Sequence, residues 1–384
     1  MIKFLYICCM IKIKANIIPP KYVMEIHRIF INNNYELYLV GGCVRDYILN
    51  IKPKDWDLVT NANPDKVIEL LKSEKFVSNI LETGKQFGVI NVITNQGEFE
   101  IATMRKDIGH GRRPDSVKFT NIETDILRRD LSFNALFYDI GTKEIVDLVG
   151  GIDDIKNGVV RTVGEPKERF GEDRLRILRA IRFAARVGSR LDPSIDKQLK
   201  NDSSLEGIST ERIRDEFLKG IKSAKSVKFF LDLLFRYSLL NQIFIDIGGF
   251  KGINKIHVES HDPILVISCL ISNTSYNEAS KKLNNLSYSS DEVKKISFLL
   301  AFYQTFGKET FYPLKKLHNI SNISDSTFIE FAEVFNIDKN IVNKFINFEL
   351  SVTGPQVQKQ FGIEAGPEMG KKIKSLEWEL FQDS

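Results

Sequence analysis

The sequence predicts an α+β protein, a small mixed β-sheet head followed by helical segments to the C-terminus. Two changes of pattern and one composition carry this. Residues 35–147 alternate short β-branched runs with turn signals, whereas from about residue 170 the apolar spacing is helical. The chain has 384 residues, 43% hydrophobic and 27% charged, an ordinary globular balance for about two or three domains. That composition excludes a disordered, collagen-like or low-complexity chain. The net charge of +4 does not by itself predict a polyanionic partner, but it averages over local patches.

Residues 1–20 read as an extension outside the fold. Their apolar run, Phe4 to Ile11, is short, flanked by single lysines and without a small-residue cleavage site, which makes a poor signal peptide. Met10 and Met24 are alternative starts, and an organellar presequence is the alternative to a cytoplasmic location. No run of about 18 apolar residues occurs, so no membrane span is expected. Cys8, Cys9, Cys43 and Cys269 match no zinc spacing and no small disulfide framework, which fits a reducing interior.

The head elements follow in order. Tyr35–Gly42 is an apolar strand ending in a Gly pair, and Asp55–Thr60 a second short strand. Asn63-Pro64 is an N-cap followed by proline at the first helical position, opening a helix to about Lys75. Val89–Thr94 and Glu98–Met104 alternate around Asn95-Gln96-Gly97 and predict a hairpin; Leu136–Ile140 and Glu144–Asp147 predict another around Gly141-Thr142. Lys106–Pro114, with three breakers, reads as a mobile loop. After Gly150-Gly151 the pattern turns helical. Glu172–Val187 is a strong amphipathic stretch, and further helices are expected near 210–223, 225–240, 262–272 and 290–305.

Three constellations carry chemistry. The first is Gly41-Gly42-Cys43-Val44-Arg45-Asp46 with Asp55-Trp56-Asp57. The glycines allow a sharp turn and close approach of a ligand, amide groups after them suit a phosphate, and Arg45 offers a charged fork. Asp55 and Asp57, two apart on a strand, share a face and make a hard-cation site able to hold two Mg²⁺ with a triphosphate. Either half alone is also what a surface turn with carboxylates looks like; together they are far more specific. Glu100 is a third carboxylate, and taken alone it equally fits a solvated strand residue. The second constellation is Arg128-Arg129-Asp130 with Asn134, suited to a triphosphate and sugar hydroxyls, although alone it resembles a helix-end charge cluster. The third runs Glu172, Asp173, Arg174, Arg176, Arg179, Arg182 and Arg186. Asp173 and Arg176, three apart, are expected on one helix face with Arg179 and Arg182 continuing that side. A solvated helix with an internal ion pair is the alternative, yet residues 161–190 hold nine Lys/Arg against four Asp/Glu, a local +5.

Together these segments resemble the class II tRNA nucleotidyltransferase and bacterial poly(A) polymerase family. The matching pieces are LVGGCVRDYILNIKPKDWDLVT, ETGKQFGVI, FEIATMRKD, GRRPDSV, RRDLSFNALFYD and RTVGEPKERFGEDRLRILRAIRFAAR, in the family's order, over about residues 35–195. VTGPQVQKQFGIEAGPEMGKKIK is a weaker match near the C-terminus, and about 225–345 has no residue-by-residue match. The resemblance implies a catalytic head at 21–148, a nucleotide-selecting helical neck at 149–212, a body at 213–300 and an RNA-binding tail at 301–384. It implies Asp55 and Asp57 as Mg²⁺ ligands with Glu100 as the third catalytic carboxylate. Gly42, Arg45, Arg129, Asp130 and Asn134 would bind the incoming nucleotide, and Asp173, Arg176, Arg179 and Arg182 would line its site from the neck. It further implies CTP and ATP as substrates and tRNA, held by acceptor and TΨC arms, as partner.

Three activities share these motifs: complete CCA addition, partial addition of CC or of the last A, and poly(A) synthesis. The Lys106–Pro114 loop is intact, whereas in the family a shortened loop goes with enzymes that stop at CC. Thr83–Gly88 resembles the tRNA type rather than the Gly-Arg-Arg-Phe of the poly(A) type, so complete addition is favoured. Asn50 departs from the family's usual glycine, and Arg186–Ser189 from a more apolar segment. His257 and His261-Asp262 resemble part of a metal-dependent phosphohydrolase, but Asp262-Pro263 fits a helix N-cap better. A catalytically dead RNA-binding protein is the reading from another class, and retention of Asp55, Asp57, Glu100, Arg129, Asp173 and Arg176 opposes it.

Overall fold

The computed structural model describes residues 10–109, 115–244 and 259–384. It divides into two compact units, 1–206 and 207–384.

The first unit is built on an eight-stranded mixed sheet. Its strands are β1 (Ile11–Lys14), β2 (Leu37–Val40), β3 (Leu58–Thr60), β4 (Val77–Leu81), β5 (Val89–Thr94) and β6 (Gly97–Thr103), with β9 (Phe137–Asp139) and β10 (Glu144–Asp147). The order is β1-β10-β9-β2-β3-β6-β5-β4, and only β3 and β6 run parallel. A separate ribbon pairs β7 (Arg105–Ile108) with β8 (Ser116–Phe119). The N-terminal segment is therefore not wholly outside the fold, because Ile11–Lys14 pairs with Asp147–Glu144 and forms one sheet edge. Nor is the whole of Lys106–Pro114 a loop. Lys106–Ile108 lies in the ribbon, and residues 110–114 lie outside the described residues.

Strand alternation sorts the two faces. Leu37, Leu39, Leu58, Phe99 and Ile101 enter a core covered by α1 (Lys21–Asn32) and α3 (Pro64–Leu71), which contribute Val23, Ile26, Phe30, Val67 and Leu71. Val40, Val59, Met104 and Phe137 enter a second core on the opposite face. Burying one such Leu or Phe contributes about 2 kcal/mol, so a one-residue slip of register would forfeit several at once. Asn63 caps α3 as expected, accepting from Lys66 N at 2.9 Å with Pro64 at the first position, although the helix ends at Leu71 rather than near Lys75.

The Gly pair opens α2 (Gly42–Ile48), with Gly41 in the left-handed region at φ 75°. Two residues beyond this helix, Asn50 has φ 56°. Asn tolerates that conformation better than other non-glycine residues, so Asn50 fits where the resemblance leads us to expect glycine. Then come α4 (Ile122–Asp125), α5 (Gly151–Asn157), α6 (Pro166–Glu172) and α7 (Leu175–Val187), with Pro193–Asn201 last.

The described part of the second unit is all helical, from Thr210–Ser223 to Pro367–Asp383. The expected 225–240 helix is two, Val227–Arg236 and Leu239–Ile243, broken at Ser238 with φ 56°. Phe298, Phe302, Phe311, Phe328 and Phe345 form a buried aromatic cluster. Asp262 caps Pro263–Leu270 through Ile264 N, and His261 Nε2 donates to the Ala224 carbonyl, so both serve structure here. His257 lies outside the described residues. Among the described residues no helix is long and apolar enough to cross a membrane.

Candidate active site

The site face of the sheet gathers the carboxylates. Strands β3 and β6 pair Leu58 with Ile101, so one step earlier Asp57 comes beside Glu100, on the face opposite Ile101. Asp55 and Asp57 are not themselves in a strand, because the ladder begins at Leu58; Asp57 is nevertheless tied to the sheet, its carbonyl accepting from Val40 N at 3.0 Å. Asp57 retains solvent contact, yet its carboxyl is pushed up to about 6. Partial removal from water is the largest cause, followed by the negative charges of Glu100 and Asp55, against Arg129 and Arg45.

The charges of Glu100 and Asp55 weigh on Asp57, a repulsion that a bound cation would relieve. Their hard oxygens suit Mg²⁺, which keeps waters and substrate phosphates as ligands rather than filling an all-protein cage. Among the described residues no group of three or more His, Cys, Asp or Glu side chains is placed to hold a metal ion, so the fit to Mg²⁺ is one of donor chemistry.

Arg45 does not present the open fork expected of it. Its side chain is 3% exposed, with Nε and NH2 donating to Asp46 Oδ1 and NH1 to Asn134 Oδ1. The other Asp46 oxygen accepts from Arg186 NH2 at 2.9 Å, and Arg45 lies 4.8 Å over the Phe183 ring. Arg45 and Asn134 therefore brace the Gly41-Gly42 turn from behind, where Gly41 N donates to the Leu136 carbonyl.

Arg129 lies on the Phe137 ring at 4.8 Å and donates to Asp125 from Nε and NH2. Asp130, whose carboxyl burial raises but Arg179 pulls below the usual range, accepts from Arg179 Nε at 2.7 Å and from Leu131 N. Arg182 sits 4.2 Å over Phe183 and is 8% exposed.

Asp173 and Arg176 do not share one continuous helix. Asp173 ends α6 with φ −150°, and α7 starts at Leu175, whose N–H donates to Asp173 Oδ1 at 3.1 Å. The carboxylate caps the new helix, a break that apolar periodicity does not register. Arg176 NH1 donates to Glu172 Oε2 at 2.6 Å, and NH2 to the Arg128 carbonyl at 3.0 Å. Neck positions 176 and 179 thus bear directly on the Arg128-Arg129-Asp130 turn.

Four more residues hold this arrangement; Asp46 and Glu172 stood in the constellations without a role, and Asp125 and Asp147 were missed from sequence. Asp125 binds Arg128 and Arg129, Asp46 joins Arg45 to Arg186, and Glu172 pairs with Arg169 and Arg176. Asp147 accepts from four backbone N–H groups, Val149 through Ile152. The i,i+3 and i,i+4 spacing of Asp125 to the two arginines was the available signal.

Comparison with known proteins speaks to the family and the fold. The profile of the poly A polymerase head domain matches residues 37–161, and that of the probable RNA and SrmB-binding site of polymerase A matches 195–247. The chain is 35% identical over 254 residues to the CCA-adding enzyme of Lactobacillus helveticus, a match spanning 64% of this chain and 61% of that protein. It is 28% identical over 367 residues to that of Ligilactobacillus salivarius, covering 90% and 88%. The crystal structure of the Bacillus stearothermophilus CCA-adding enzyme in complex with CTP shares the fold, with a TM-score of 0.67 at 21% identity over 95% of this chain and 94% of that one.

Proposed function

The chain belongs to the nucleotidyltransferase family of CCA-adding enzymes and bacterial poly(A) polymerases, and we propose that it adds CCA to the 3′ end of tRNA from CTP and ATP without a nucleic-acid template. What carries this reading is the meeting of Asp57, Glu100 and Arg129 at one end of the sheet, with Arg176 of the neck resting on the same turn. The CCA-adding names of the relatives and the CTP in the neighbouring structure support the choice of substrates.

Asp55 and Asp57 would hold two Mg²⁺, with Glu100 as the third carboxylate. When bound, the ions lower the pKa of the attacking 3′-hydroxyl and stabilise charge on the leaving pyrophosphate. The chain's own residues position the reactants. Gly42 opens the turn that the triphosphate approaches, Arg129 adds a charged fork, and Arg45 and Asn134 keep the turn in shape.

Base choice follows from hydrogen-bond inventories. Cytosine and adenine each place an amino donor beside a ring-nitrogen acceptor, which Asp173 and Arg176 complement. Uracil and guanine reverse that order and would leave two polar groups unpaired, at about 1–3 kcal/mol each. Arg179 and Arg182 support this wall of the site. The helical second unit would take the acceptor and TΨC arms through phosphates, weakening with salt. The buried free thiols Cys43 and Cys269 suit a reducing compartment, and we assign the cytoplasm.

The test uses tRNA lacking its 3′ end, with CTP alone, ATP alone and both. Complete CCA addition requires both nucleotides, and CTP alone should stop at CC. A long A ladder on arbitrary RNA would favour poly(A) synthesis instead, and no extension would favour a non-catalytic RNA-binding protein.

A further inference from the structure

Asp125 is fully buried, yet it belongs to neither the carboxylate set nor the neck. Its Oδ2 accepts from Arg129 Nε at 3.1 Å and Arg129 NH2 at 2.8 Å; its Oδ1 accepts from Arg128 Nε at 2.9 Å and from Arg105 N at 3.1 Å. We propose that Asp125 is a positioning residue for the nucleotide, holding the Arg129 guanidinium so that its remaining N–H groups face the triphosphate. The inference rests on the reading of Arg129 as a nucleotide contact.

Two constraints fix a planar guanidinium. The Phe137 ring, 4.8 Å from the Arg129 guanidinium carbon, confines one face of the group, and side-on pairing with Asp125 sets its orientation. Pairing occupies the Nε side and leaves NH1 with no protein acceptor among the described residues. The guanidinium is thus held on one side by a buried carboxylate, with NH1 left for the triphosphate.

Asp125 also counters the repulsion of two consecutive arginines. Through Arg105 N it ties the chain just beyond β6, the strand of Glu100, to the turn that carries Arg129. One carboxylate thus sets the spacing between the catalytic strand and the phosphate-binding arginine.

The test is a double-mutant cycle on the full chain, reading KM for CTP and ATP, kcat, KM for tRNA and the CTP/UTP preference. Arg129→Gln should raise both nucleotide KM values by about tenfold or more, the loss of one charge-assisted contact. Asp125→Asn should raise them by about tenfold while leaving KM for tRNA and the CTP/UTP preference unchanged. Asp125→Asn combined with Arg129→Gln should match Arg129→Gln alone, because Asp125 acts through Arg129. Multiplying effects in the double variant would overturn the inference while leaving Arg129 in place. An unchanged nucleotide KM in Arg129→Gln would overturn the reading of Arg129 and the inference with it. If Asp125→Asn does not fold, Asp125→Glu, which keeps the charge but displaces it by a methylene, should show the same KM rise and the same non-additivity, and additivity there overturns the inference equally.

Discussion

Asp46 should be among the costliest side chains to remove from the first unit. It is 5% exposed, and its two oxygens serve two guanidiniums, Arg45 through Nε at 2.9 Å and NH2 at 2.7 Å, and Arg186 at 2.9 Å. Asp46→Ala leaves Arg45, itself 3% exposed, as a buried charge without a counter-charge. Breaking a buried pair from one side costs about 3–5 kcal/mol. The Arg186 bond, whose arginine is partly exposed, adds about 0–1 kcal/mol. A loss of about 4 kcal/mol is therefore expected. The assay is urea unfolding followed by Trp56, in a Trp378→Phe background so that fluorescence reports the first unit alone. Replacing the pair together, Arg45→Met with Asp46→Leu, removes both charges and should recover most of the loss, to within about 2 kcal/mol of wild type. A loss below about 1 kcal/mol in Asp46→Ala, or a double variant no more stable than the single, would refute the reasoning.

Three further outcomes are expected. Asp173→Ala should reduce CTP-over-UTP discrimination by about tenfold or more, since one unpaired-group penalty disappears, with Mg²⁺ dependence intact; unchanged discrimination would sink the pairing idea. Gly151→Ala would put a Cβ 2.3 Å from the Ser132 carbonyl oxygen, so it should cost about 3 kcal/mol or more by urea unfolding, whereas Gly171→Ala meets nothing within 4 Å and should be neutral. Burial pushes the Lys315 ammonium, which donates to the Phe345 and Ile346 carbonyls, down to about 8 from 10.5. Between those values the unfolded chain binds more protons, so the second unit should gain stability as pH rises through that window, and the penalty should be fully present below it. That gain between about pH 7 and about pH 10 should vanish in Lys315→Met, measured by Trp378 fluorescence on urea unfolding.

Much of the head was legible because its signals are local. Asn63-Pro64 announced its helix, and the alternation on either side of Asn95-Gln96-Gly97 placed a hairpin that closes Thr94 on Gly97. Features set by distant partners were not legible. Residues 11–14 alternate as a strand should, but the edge they join, Glu144–Asp147, lies far along the chain. Arg45 reads as an available charge, and with its neighbour Asp46 it is Asn134 and Phe183, far along the sequence, that turn it inward. The break at Asp173 hides inside an unbroken amphipathic pattern, because it is made by that residue's own carboxylate capping Leu175 N. Asp55 and Asp57 were paired from their spacing and Glu100 was joined to them by the resemblance, whereas the strand register, rather than a strand through Asp55 and Asp57, is what sets Glu100 beside Asp57.

The central claim is that protein side chains choose the added bases. The most direct measurement supplies all four nucleoside triphosphates with tRNA lacking its 3′ end and sequences the new termini, alongside the Asp57→Ala variant. The account predicts C, C and A in that order and then arrest, with no addition by Asp57→Ala. Termini of mixed base composition, or extension that survives Asp57→Ala, would contradict it.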